Sequence, residues 1–182
     1  MNTITTETRS GVPTGTWTLD PVHSSVGFEV GYLVGTFRGQ FREVAAQLAV
    51  TGGDATLTGT ARVASVDVKD ENLAAHLASP DFFDAERHPE LRFASSSIAG
   101  GDEVAIDGEI TIKGVTRPVE LTGTITEPTI DAYGNKRIGL KLSTTIDRTD
   151  FGVDWNAPLP TGKQALANQV LLVAELYFVK EA

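Results

Sequence analysis

Cysteine is absent from the 182 residues. That absence removes disulfides, thiolate nucleophiles, zinc–thiolate sites and iron–sulfur clusters together. Basic clusters are missing too. Fifteen Lys and Arg stand against 24 Asp and Glu, a formal charge of −9, whereas a nucleic-acid binder needs a basic stripe to release counterions. The same acidity disfavours docking on anionic membrane surfaces. No apolar run approaches the roughly 18 residues of a membrane span, so no integral membrane insertion is expected. The opening MNTITTETRSGVPTG has neither a basic n-region nor an apolar h-region. It implies no secretory signal, a cytoplasmic location and a flexible polar tail over residues 1–14.

Several chemical signatures are lacking as well. The histidines, His23, His76 and His88, fall in a turn, a helix and a Pro-flanked loop, with no H-E-x-x-H or His-x-His spacing; no metal site is expected. There is no G-x-S-x-G elbow for a serine nucleophile. No helix follows a Gly-rich loop, so no phosphate cradle is expected. Asp81 and Asp84 read as solvated loop charges. Arg148 and Asp150 beside Phe151 form a candidate ion pair at a barrel mouth.

What is present is a period of two. Val26, Phe28, Val30 and Tyr32 alternate with small or polar residues. Thr36–Val50 continues the alternation through one slip near residues 43–45, and at about 3.3 Å per residue it reads as one tall strand of roughly 50 Å. Residues 55–63, 91–98, 104–113, 119–129, 137–146 and 170–180 add further strands, and Trp17–Asp20 leads them. Gly52-Gly53-Asp54, Lys113-Gly114 and Gly134-Asn135 are turn chemistry. Eight or nine antiparallel strands with short connections define an all-β domain over residues 15–182. Asp70–Ser79 breaks the period: Leu73 and Leu77 stand four apart behind Asp70 as N-cap. Further short helical turns are expected at Ser79–Phe83 and Arg148–Gly152.

Small residues recur at the inward phase: Gly39, Ala46, Gly59, Ala61, Gly108 and Gly123. A barrel of about eight strands either fills its interior or holds one small ligand, and small inward residues favour a ligand. Phe28, Tyr32, Phe37, Phe41, Phe82, Phe83, Phe93, Phe151 and Trp155 fall at inward phases, strand ends or the helical lid. They suit a packed core or an apolar pocket equally.

Five stretches, in order, carry a family resemblance: Trp17–Ser24 with Val26–Phe28; Gly35–Phe41; Phe82–Pro89 leading into Leu91–Phe93; Gly108–Val119; and Asp147–Gly152. Together they resemble the YceI-like family of lipid- or polyisoprenoid-binding proteins. The resemblance implies an extended, lipocalin-like, antiparallel eight-stranded barrel with short capping helices. It implies an isoprenoid lipid or quinone as bound ligand, no other cofactor, and a possible homodimer. Carried over, Phe28, Val30, Phe37, Phe41 and Phe93 would form walls, and Leu73, Leu77, Phe82, Phe83 and Phe151 a cap. His23 and Arg148 would meet the ligand head group or brace the cap. One departure is the missing signal sequence, since many members of the family carry one.

Three classes of function follow. The first is a binding protein that carries or stores an apolar chain without chemistry. The second is a hydrolase or isomerase using His23 or carboxylates at the barrel mouth. The third is a solidly packed interaction module. Gly15-Thr16-Trp17 also echoes the G-x-W start of lipocalins.

Overall fold

The structure is a computed structural model that describes residues 12–182. Most of the expected tail, residues 1–11, lies outside the described residues. Twelve strands form among the described residues, and their pairing joins them into eight walls. The first wall is β1 (Gly15–Leu19) with β2 (Ser25–Tyr32), and the second is β3 (Gly35–Phe41) with β4 (Val44–Thr51). The third is β5 (Asp54–Arg62) with β6 (Val66–Asp67). Then come β7 (Glu90–Gly100), β8 (Glu103–Ile112), β9 (Val115–Ile125) with β10 (Thr129–Ile130), β11 (Lys136–Asp147) and β12 (Leu166–Lys180). Each wall pairs antiparallel with the next, and β12 returns to both β1 and β2, closing the barrel. Closure reduces the free sheet edges that could template aggregation to parts of strands, among them the first half of β9 and the second half of β7.

The breaks inside walls have local causes. Between β1 and β2, Pro21 brings no N–H to the ladder. Asp20 Oδ1 there accepts from the amides of Val22 and His23, at 3.0 and 3.4 Å. The tall strand expected over Thr36–Val50 is interrupted earlier than its pattern suggests, at Arg42-Glu43. Those two amides turn to the carbonyl and hydroxyl of Ser65, at 3.1 and 3.0 Å. The strand expected over residues 119–129 also starts earlier than its pattern suggests, at Val115, and carries Pro118 inside it. Proline is tolerated because this half of β9 has β8 alone as partner: β11 joins β9 only from Thr122 to Ile125.

One α-helix, α1 (Glu71–Ala78), crosses one end. Asp70 caps it, accepting from the Leu73 amide at 3.0 Å. The chain then makes hydrogen-bonded turns through Phe82 and Phe83, not a second helix. A 3-10 helix at Arg148–Phe151 ends on Gly152, whose φ of 72° suits glycine.

The interior divides into two clusters. At the end holding both chain termini of the barrel, Trp17, Leu48, Ile106, Ile138, Leu140 and Phe178 are almost wholly buried and pack on one another. At the capped end, Phe28, Val30, Phe41, Leu77, Phe82, Ile112, Phe151 and Val170 form the second cluster.

A candidate ligand cavity

The capped end is hollow. A cavity of about 470 Å³ runs from beneath α1 and the Phe82–Phe83 turn down to Leu57, Leu142 and Leu176, where the packed cluster floors it. Small-molecule pockets of this kind span about 300–1,000 Å³. Its wall is almost entirely apolar, because strands buried on one face only present their hydrophobic phase inward.

The aromatic side chains are organised by geometry. Phe28 stands 6.0 Å, centroid to centroid, from both Phe37 and Phe41, and 6.1 Å from Phe83; Phe41 and Phe83 meet edge-on at 5.7 Å. On the cap, the His76 ring meets Phe82 at 4.9 Å and Trp155 at 4.7 Å, both edge-on. His76 Nε2 also lies 3.0 Å from Asp81 Oδ2. Lys113, in the β8–β9 turn, donates to the carbonyls of Pro80 and Gly152, at 2.6 and 3.3 Å. It thereby pins the helix turn and the 3-10 helix to the rim.

Phe28, Val30, Tyr32, Phe37, Phe41, Leu73, Leu77, Phe82, Phe83, Phe93, Phe151 and Arg148 all line this cavity. His23 does not. It sits in the turn between β1 and β2 with its side chain 70% exposed, and its Nδ1 lies 2.7 Å from Asp20 Oδ2. Asp20 also accepts from Arg137 at 2.9 Å, and Arg137 donates to Asp131 at 2.6 Å. The hydrogen bond with His23, reinforced by Arg137, lowers the Asp20 pKa to about 2 against the opposing effect of burial. This is a clip on the wall, remote from the ligand space.

Arg148 is 5% exposed and has no ion pair with Asp150, which faces solvent. Its Nε donates to the Ala167 carbonyl at 2.9 Å, and Nη1 to the carbonyls of Val153 and Trp155, at 2.9 and 2.8 Å; Nη2 faces Asn168 Oδ1 at 3.4 Å. The Ala167 carbonyl falls where the β12 register shifts between Leu166 and Val170, and the Val153 and Trp155 carbonyls lie in the loop after the 3-10 helix. A guanidinium offers five donors in a fixed fork, so one side chain stitches the strand start to the loop. Burial pulls its pKa below the ordinary arginine value, and Asp147 and Asp154 pull it back up. The second carboxylate expectation also changes. Asp84 is buried, with a φ of 52°, whereas Asp81 is exposed as expected.

Three of the small inward residues do not open space: Gly39, Gly108 and Gly123, where an added Cβ would run into the Lys141 backbone carbonyl. At Gly39 an added Cβ would meet the Phe28 ring at 2.6 Å, and at Gly108 the Phe93 ring at 2.7 Å. The rings lie over the glycines, an aromatic covering of bare backbone. Ala46, Gly59 and Ala61 do line the cavity. His76 and Trp155 also line it. The helical spacing Leu73, His76, Leu77 is the signal that places His76 on the inner face of α1.

A closed antiparallel barrel with one packed end and one apolar, capped chamber defines the class: a lipocalin-like barrel with an internal pocket. The chain matches the YceI-like domain over residues 17–178 and belongs to that family. It is 32% identical over 167 residues to a UPF0312 protein of Staphylococcus epidermidis, covering 87% of this chain and 94% of that one. Among solved structures it resembles Burkholderia cenocepacia BcnA, with a TM-score of 0.73, 24% identity, and 87% and 98% of the two chains covered. It also resembles a polyisoprenoid binding domain from Saccharophagus degradans, with a TM-score of 0.71, 11% identity, and 91% and 98% covered. Among the described residues, no helix is long and apolar enough to cross a membrane.

Proposed function

We propose that this protein binds an elongated apolar ligand, a polyisoprenoid or isoprenoid quinone, in the capped chamber, and carries or stores it unchanged. The observation that carries this reading is the chamber itself: a large space walled by aliphatic and aromatic side chains inside a closed sheet. Water gains few hydrogen bonds there, and each buried methylene contributes about 0.8 kcal/mol. A chain of about ten buried carbons therefore offsets much of an association cost of roughly 4–15 kcal/mol. The polyisoprenoid binding domain of Saccharophagus degradans, on the same fold, supports the ligand class. Arg148, which lines this chamber, braces the cap through neutral carbonyls and leaves one Nη2 hydrogen for a ligand oxygen.

Organic extraction of the purified protein, followed by mass spectrometry, tests the proposal, together with displacement of an environment-sensitive apolar fluorophore by added prenyl lipids. Stoichiometric lipid and saturable displacement are expected. An empty protein that binds no apolar probe overturns the reading. Recovery of the added lipid in altered form overturns the part that excludes chemistry.

A further inference from the structure

The hairpin joining β2 to β3 breaks a local rule. Tyr32 pairs with Gly35, which leaves Leu33 and Val34 as a two-residue turn. Leu33 has a φ of 51°, in the left-handed region where a tight hairpin turn normally places Gly, Asn or Asp. Leucine there is strained, and Val34 beside it is fully exposed. Leu33, 55% exposed, makes a single backbone tie, from its amide to the Ala165 carbonyl at 3.0 Å. Among the described residues nothing compensates for this choice, and uncompensated local conflicts concentrate at functional positions.

The position of the tip identifies what it meets. It lies at the hollow end, and Tyr32 at its base lines the chamber while remaining 49% exposed. The apolar surface of the tip is therefore continuous with the ligand space. Three side chains are far too few for a second copy of the chain, because a specific interface buries about 800 Å² per partner. They suffice to wedge between lipid head groups, as exposed apolar side chains do at membrane interfaces. The net charge of −9 gives no electrostatic pull toward anionic lipid, so the contact rests on apolar insertion.

We infer that the Leu33-Val34 tip is a membrane-touching element through which ligand passes between a bilayer and the chamber. This rests on the proposed lipid-binding function, whereas its vesicle-binding arm is independent of it. Leu33→Gly with Val34→Asn supplies ordinary turn chemistry at the same backbone geometry and leaves every chamber-lining residue in place. The measurements are flotation with phosphatidylcholine vesicles, and stopped-flow transfer of an apolar fluorescent probe from those vesicles to the protein. The wild type is expected to float with the vesicles and the double variant to stay in solution. Transfer is expected to slow at least tenfold in the variant, while affinity for probe added without vesicles is unchanged. Equal flotation and equal transfer rates in the two proteins overturn the inference. So does a concentration-dependent dimer that the double variant abolishes without any change in flotation. A wild type that floats, when the variant does not, yet takes up no probe supports membrane contact and instead defeats the proposed function.

Discussion

The two ends of the barrel share the same walls and treat their interior differently. At the closed end, Trp17, Leu48, Ile106, Ile138, Leu140 and Phe178 interlock until almost no surface is left. At the capped end the inward positions alternate between rings and small residues, and the rings lie along the wall, over Gly39 and Gly108, instead of across the lumen. The lesson is that inward apolar phase does not distinguish core from pocket. What distinguishes them is whether the side chains of facing walls reach one another. Stability is therefore concentrated at one end, and capacity for a guest at the other.

The comparison is open to attack by substitution. Phe178→Ala, in the packed cluster, should cost about 3–5 kcal/mol, read as a fall in the urea midpoint. A loss below about 1 kcal/mol would mean that the closed end is as yielding as the hollow one. Next comes Gly123→Ala. Its Cβ would run into the Lys141 backbone carbonyl, so it should cost about 1–3 kcal/mol, detectable by thermal denaturation.

The wall clip gives a smaller, pH-dependent effect. The Asp20 pKa lies near 2 in the folded protein, below its ordinary 3.8. A depressed carboxyl pKa stabilises the fold fully above the ordinary value, and that contribution is lost as the pH falls through the folded value. Wild-type stability should thus decline between about pH 4 and pH 2. Asp20→Asn should be less stable at neutral pH and should show a flatter denaturation profile over that interval. An unchanged slope would remove the clip from the account.

The smallest stability effect belongs to Gly59→Val. An added Cβ there makes ordinary contacts, 3.5 Å to the Ala45 carbonyl and 3.6 Å to the Ala46 Cβ. Stability should move by no more than about 1 kcal/mol, the span of strand preferences, while the added methyl groups enter the chamber and weaken probe binding about tenfold. Unchanged affinity would place the guest elsewhere.

Much of this was legible in the chain. Alternation over residues 26–32, the Gly52-Gly53-Asp54 turn and the Asp70 cap all depend on neighbours in sequence, and they recur in the structure where the pattern puts them. The illegible parts depend on distant partners. The strand expected from residue 119 begins at Val115, because the half of β9 that holds Pro118 lacks β11 as a partner. Arg148 reads as a partner of nearby Asp150, yet its acceptors are the Ala167 carbonyl, at a register shift in β12, and the loop carbonyls of Val153 and Trp155. His23 follows an inviting motif and ends on the outer wall.

Composition, period and turn residues were sufficient for an all-β chain with amphipathic strands, because those properties are local and side-chain direction in a strand alternates unavoidably. Whether the inward residues would meet or leave a gap was settled only by closure of the eight walls. Closure sets which residues face each other across the lumen, and a ring laid over a glycine a wall away leaves no mark in the order of the residues.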